Sequence, residues 1–391
     1  MSMNRRNFLY LSALGCAWLL TGCKTEERAI PLPQTAAGSQ PQDTSTDGST
    51  TPSDTGSLRE GIVIPDGFEL PLEGATGIIG ASVLQLYAEP SEEATVLRLL
   101  AAGDMFYIRQ ESGAYWQVCI LDGTIGWVQS CHCMINLPDV LPSVVYDNPN
   151  AVSSIFRTRG QDIRGITGQK LYDDLFYNPR LGRDEFVMPI NYAMAKKVGI
   201  AQRTALQAGD CLKIVETFRP YEVQMEVKDA VYAMARADSS LMAALNAGSW
   251  SIGWFIATSL SNHQRGVAMD TSLLRVTSST EHSLGGCSFV RVEGEEYQMP
   301  SAMHELSSAA ACFTRPVNSA SKTAWLSATP AQTMTEGAKR LQSYCTSAGL
   351  TPLASEWWHF NDIDAQNVVR ELSGNGQFWL DGCVSWKMFE A

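Results

Sequence analysis

From residue 73 onward, apolar positions come first in short alternating runs and later at helical spacing. The runs at 81–87, 104–108, 116–120 and 126–128 are short, rich in Val, Ile, Leu, Tyr and Trp, and separated by turn signals. Several short strands at this spacing predict a small all-β barrel over residues 73–137. Ile214-Val215 then opens a short apolar strand that ends in Arg219-Pro220, and residues 267–274 read as a second strand. Val223, Val227, Val231, Met234 and Ala235 recur at helical spacing and predict a helix from Tyr221 to about Leu245. A further helix is expected to start at Thr329-Pro330, with threonine as cap and proline in the first position. Met334, Ala338, Leu341, Cys345 and Ala348 would form its apolar face, and Gly349 would end it. Residues 138–391 are long enough for one substantial α+β core.

The first 72 residues follow neither pattern. Arg5-Arg6 precede an apolar run that reaches Leu20-Thr21-Gly22-Cys23. The run is too short for a comfortable membrane span. It reads as an export signal over 1–23, and Leu-Thr-Gly-Cys looks like a bacterial lipobox with Cys23 as the lipidated residue. The arginine pair resembles a signal for export of folded protein. Residues 24–72 are expected to be a flexible tether. Ser, Thr, Pro, Gly, Gln and Asp dominate most of that stretch, which cannot bury enough apolar surface to offset its chain entropy. The expected location is therefore the extracytoplasmic face of a bacterial membrane, reached through a lipid anchor.

The formal charge is −12 over 391 residues, and loss of Arg5 and Arg6 with the signal takes it to −14. So acidic a chain is a poor partner for nucleic acid, and it argues against adhesion to anionic lipid through basic patches. Export permits disulfides among Cys119, Cys131, Cys133, Cys211, Cys287, Cys312, Cys345 and Cys383, with pairing left open. Cys131-His132-Cys133 has no second ligand pair at a suitable distance and reads as core or disulfide material.

Two strings carry the candidate chemistry. One is Ser261-Asn262-His263-Gln264-Arg265-Gly266-Val267-Ala268-Met269-Asp270, and the other is Glu356-Trp357-Trp358-His359. A catalytic zinc site takes three protein ligands, an open position for water, and a base beside it. His263, Asp270 and His359 can be the ligands and Glu356 the base. Gly266 permits a turn between His263 and the strand that carries Asp270. Glu356 and His359 lie three apart, which on a helical or tight turn would face them the same way.

The pattern S-x-H-x-x-G-x-A-x-D followed by E-x-W-H resembles the zinc D,D-peptidase family that contains the vancomycin-resistance D-alanyl-D-alanine dipeptidases. The likeness covers roughly residues 140–391, and the doubled tryptophan is closer to the dipeptidase branch. It implies a hedgehog-like α+β catalytic domain, with an antiparallel sheet and packed helices, holding one zinc ion per chain. Arg219, in the string Ile214 to Pro220, matches the arginine that stabilises the oxyanion in that family. Ser261 matches a serine that contacts substrate. Gln298 falls where the dipeptidases carry an aspartate that pairs with the substrate ammonium. An amide accepts a hydrogen bond but does not neutralise that charge, so Glu305 or another acid would have to compensate, or a longer N-terminal side would be tolerated. Residues 73–137 are similar to bacterial SH3-like domains through Ala88-Glu89-Pro90-Ser91, Gly103, Trp116 and Gly126-Trp127-Val128. Such a module binds wall peptides or acts as a spacer.

The resemblance implies a zinc metallopeptidase that cleaves D-alanyl-D-alanine or related wall peptides. The alternatives are a D,D-carboxypeptidase that trims stem peptides and a non-catalytic wall-binding lipoprotein.

Overall fold

The computed structural model describes residues 67–369 and 374–386. The signal segment with Cys23 and the tether up to residue 66 lie outside the described residues. At its start the described chain is already packed: Phe68, Leu70 and Leu72 are buried. Glu69 accepts a hydrogen bond from Ser143 N at 2.9 Å. The folded body thus begins ahead of residue 73, because apolar side chains at every second position of 68–72 find core to bury against.

The fold is mixed α+β, with antiparallel sheets and, among the described residues, five α-helices. The first sheet has eight strands in the order Pro189–Asn191, Cys133–Asn136, Thr76–Ile79, Met105–Ser112, Tyr115–Ile120, Ile125–Gln129, Val83–Tyr87, Val96–Ala101. The four strands read from the sequence are present. The expected barrel is not closed, and the sheet keeps two edges. The reason is local: Cys133–Asn136 pairs on its outer side with Pro189–Asn191, a strand from beyond the expected domain boundary.

That strand leads directly into α1 (Tyr192–Gln207), whose N-cap Asn191 accepts from Ala193 N at 3.0 Å. Tyr192 packs edge-on against Trp116 of the first sheet, with ring centroids 4.9 Å apart. One hydrophobic core runs from Phe106, Trp116 and Ile135 through Met194 and Val198 to Ile214, Leu273 and Trp358. All described residues belong to one compact unit. Residues 374–386 lie back on the first sheet, where Trp386 N donates to Gly74 O (2.7 Å) and Val384 N to Thr76 Oγ1 (3.1 Å).

The second sheet runs Thr351–Leu353, Glu356–Asn361, Ala268–Leu284, Asp210–Glu216, Val145–Tyr146, with Cys287–Glu296 paired along the far half of Ala268–Leu284. Only the Val145–Tyr146 pairing is parallel. The helix expected over 221–245 is two helices, α2 (Tyr221–Ala237) and α3 (Ser239–Leu245). Asp238, in an extended conformation, stops the first and caps the second by accepting from Ser240 N and Leu241 N. The last predicted helix, α4, is Glu336–Ser347 and starts later than expected. Thr335 is its cap, while Pro330 forms a bridge with Phe313. Its predicted apolar face is buried, and Gly349 follows at φ +86°. A short fifth helix, α5 (Ile363–Val369), follows the second sheet.

Among the described residues no helix is long and apolar enough to cross a membrane. The eight described cysteines are free thiols.

Candidate metal centre

Three neighbouring strands of the second sheet meet in one row. Asp270 pairs across to Glu216 on one side and to His359 on the other. Directly opposed residues in adjacent strands present their side chains to the same face, about 5 Å apart. His263 joins the row from the turn before its central strand. Gly266 makes that turn possible: its φ is +66°, and an added Cβ would stand 2.6 Å from Met134 Sδ.

The result is a convergence of three ligand atoms. His359 Nδ1 lies 2.9 Å from Asp270 Oδ1 and 3.2 Å from His263 Nε2. His263 Nε2 and Asp270 Oδ1 are 3.4 Å apart. Tetrahedral zinc with bonds of 2.0–2.2 Å spaces its ligand atoms by about 3.3 Å. The outer nitrogen of each imidazole faces an acceptor. His263 Nδ1 is 2.7 Å from Thr217 O, and His359 Nε2 is 3.1 Å from Asn361 Oδ1. Asn361 Oδ1 is itself held by a donor, Asn262 Nδ2, at 2.7 Å. With protons on the outer nitrogens, both inner nitrogens turn lone pairs toward the carboxylate oxygen. Three lone pairs so close repel unless a cation sits among them, and an outer acceptor on a ligating histidine is the usual means of fixing its tautomer. All three residues are buried. The donor set fits a divalent ion.

No family model matches the chain, and no curated protein matches it. The chemistry of the site therefore rests on the residues themselves.

Glu356 stands beside the three ligand atoms without joining them, with Oε2 3.7 Å from His359 Nδ1. It lies not on a helix or tight turn, as its spacing suggested, but on the strand Glu356–Asn361. In a regular strand, residues three apart face opposite ways. An irregularity resolves this: Pro352 pairs with Phe360 but Leu353 with Glu356, so the intervening residues bulge and bring Glu356 round to His359. Trp357 and Trp358 are both buried, with rings edge-to-face at 5.3 Å. Burial pushes the Glu356 carboxyl up to about 7, with His359 pulling the other way.

Arg219 sits in the turn between Asp210–Glu216 and α2. Its Nε donates to Glu216 Oε2 (2.8 Å), Nη1 to Gln224 Oε1 (2.6 Å), and Nη2 to Glu216 Oε2 and to Asp270 Oδ2 (3.2 Å). A guanidinium has five N–H groups, so one on Nη1 is left among the described residues. Arg219 lines a cavity of about 300 Å³ together with His263, Asp270, Glu356 and His359. Glu216, Asp270 and His304 form a second cluster of ligand-type atoms. The guanidinium of Arg219 already bridges its two carboxylates, so that cluster holds its own cation.

The two expected substrate contacts fare differently. Ser261 lines the cavity, and its hydroxyl and backbone N both donate to Gln264 Oε1 at 2.7 Å. Gln264 Nε2 passes that restraint to Arg219 O (2.8 Å). Gln298 is not among the residues lining the cavity. Glu305 is occupied elsewhere: its carboxylate accepts from Arg159 N (2.5 Å), Gly160 N (2.9 Å) and Ser307 Oγ (2.5 Å).

Sequence reasoning missed Glu216, Gln224, Asn361 and His304 as parts of the site. Glu216 and Arg219 are an acid and a base three residues apart in the string already singled out, which was a usable signal. His304 stands directly before Glu305, but nothing in the spacing marks it.

Proposed function

We propose that the chain is a zinc-dependent peptidase of the D,D-peptidase type, acting on D-alanyl-D-alanine or closely related D-amino-acid peptides of wall origin. The observation that carries this reading is the convergence of His263 Nε2, Asp270 Oδ1 and His359 Nδ1 within 2.9–3.4 Å, with a buried acid next to them. His263, Asp270 and His359 would hold the ion. When bound, zinc supplies Lewis acidity toward a water and a peptide carbonyl. Glu356 would take the proton of the attacking water and return it to the leaving amine, a role suited to a largely buried carboxyl that stands beside the ligand atoms without joining them. Arg219, through its remaining Nη1 hydrogen, opposes the charge that develops on the carbonyl oxygen. A covalent nucleophile is not required.

One observation favours the carboxypeptidase alternative. Among the described residues, the only acids lining the cavity are Asp270 and Glu356, and both already have roles. Gln298 lies off the cavity and Glu305 is held by a backbone turn. A peptide whose N-terminal side is blocked or extended fits such a site better than a free dipeptide with its ammonium. In this reading the first sheet faces the wall or acts as a spacer, and Cys23 tethers the enzyme to the membrane.

The test is an assay of the zinc-loaded protein on free D-Ala-D-Ala and on an N-acylated pentapeptide ending in D-Ala-D-Ala. Release of D-alanine from either supports a D,D-peptidase, and the preferred one decides between the two branches. Full zinc occupancy with no cleavage of either peptide would overturn the reading in favour of a non-catalytic wall-binding protein.

A further inference from the structure

We propose that His304 is a positioning residue that holds Asp270 to one-oxygen ligation and so keeps a coordination position open. The inference rests on the metal-centre reading above. The two oxygens of Asp270 face different neighbours. Oδ1 joins the inner nitrogens of His263 and His359, whereas Oδ2 receives Arg219 Nη2 at 3.2 Å and His304 Nε2 at 3.1 Å. An ionised carboxylate only accepts, so the His304 proton that points at Oδ2 is on Nε2. A carboxylate that swings to offer both oxygens to an ion fills the place that water or a carbonyl needs. Two donors on Oδ2 prevent that swing.

Arg219 alone is a poor lock, because its Nη2 also serves Glu216. The hydrogen bond of His304 is directed at Asp270: its Nε2 is 4.0 Å from Glu216 Oε2, and its Nδ1 has no partner among the described residues. The ring is built into place. It is 1% exposed and stacks on Phe156 at 4.2 Å with an interplanar angle of 11°. Trp358 meets it nearly at right angles, at 6.0 Å. Its backbone adopts φ +58°, which a residue with a Cβ takes only when its surroundings impose it. The surroundings are visible on both sides: Arg157 N donates to His304 O at 3.0 Å, and the next residue, Glu305, clamps the Arg159-Gly160 turn. A strained, buried histidine with one side-chain hydrogen bond, aimed at the outer oxygen of a proposed ligand, is the geometry of an outer-sphere support.

The experiment compares His304→Gln, which can present a donor near the Nε2 position, with His304→Leu and His304→Met, which cannot. Zinc affinity is measured by chelator competition, and the cobalt-loaded proteins are examined by visible absorption. Metal-free melting curves identify which apolar variant folds, so that at least one comparison is read on a folded protein. The expected result is a loss of zinc affinity of about 10- to 100-fold in the apolar variants, with weaker cobalt bands as coordination rises above four, and recovery of both in His304→Gln. Parent-like affinity and cobalt spectrum in a folded apolar variant would overturn the role of His304 while leaving the metal centre intact. Equal loss in all three variants would also overturn it, because the donor would then not matter. Failure of the parent to bind zinc or cobalt would remove the metal centre itself.

Discussion

Removing the carboxylate of Glu216 should cost the fold more than its distance from solvent-facing chemistry suggests. Glu216 is fully buried. It takes two N–H groups of Arg219, and its other oxygen accepts from Asn150 Nδ2 at 2.8 Å and from the Tyr172 hydroxyl. Arg219, 5% exposed, would be left with Asp270 as its only carboxylate contact, at 3.2 Å. Breaking a buried ion pair from one side costs about 3–5 kcal/mol. Because Asp270 remains, Glu216→Ala should fall near the lower figure, about 3 kcal/mol. That corresponds to a drop in Tm of roughly 4–5 °C for a body of this size. Glu216→Gln, which keeps the shape and loses the charge, should fall between this variant and the parent. The assay is denaturant and thermal unfolding of the metal-free protein. A second reading comes from adding zinc. An ion on Asp270 Oδ1 draws on the same negative charge that steadies Arg219, so the zinc-induced rise in Tm should be smaller in Glu216→Ala than in the parent. A loss below about 1 kcal/mol, within the range of an exposed pair, together with an unchanged zinc response, would refute the view that Glu216 compensates Arg219.

Other expectations follow from the same geometry. Glu356→Ala should lower turnover by at least about 10²-fold and keep its zinc by metal analysis; loss of the metal would contradict the assignment of Glu356 as a non-ligand. His263→Ala or Asp270→Ala should lower zinc occupancy on dialysis, and two variants with full zinc and full activity would mean a different ligand set. Burial pushes the Asp174 carboxyl up to about 8, against a hydrogen bond from Asn148 and helped by the charge of Glu216. Its folded value lies above the unfolded one, so its contribution to stability is complete below about pH 4 and is lost as pH rises through about 8. Stability measured at pH 5, 7 and 9 should therefore decline less steeply in Asp174→Asn than in the parent. An identical pH profile in the two proteins would show that Asp174 does not titrate in this way.

Much of the site was legible because its donors are local in sequence. His263 and Asp270 are separated by a glycine turn and a strand entry, and the strand alternation that places Asp270 is visible as Ala268, Met269 and Asp270. The same is true of α2 and α4, whose apolar stripes are buried as read except for Met234, which is half-buried. What escaped was set by partners distant in the chain. Glu356 and His359 reach each other through a bulge in strand pairing with Leu353, not through a turn, and single-strand periodicity carries no record of a partner's register. The true start of α4 depended on Pro330 finding Phe313, which freed Thr335 to cap. The barrel expected for 73–137 stayed open because Pro189–Asn191 took the edge of Cys133–Asn136. His304 was hidden for the same reason, since its meaning comes from Asp270, Phe156 and Trp358 and from a left-handed backbone that Arg157 and Glu305 impose.

The alignment of Glu216, Asp270 and His359 across adjacent strands ties chemistry to strand pairing in an unforgiving way. Sliding the middle strand by a single position would carry Asp270 to the reverse side of the sheet and bring Met269 or Thr271 into its place. No intermediate alignment retains a weakened centre. A chain that mispairs while folding would lack the cluster altogether, and an ion that needs all three donors would bind only the correctly paired sheet.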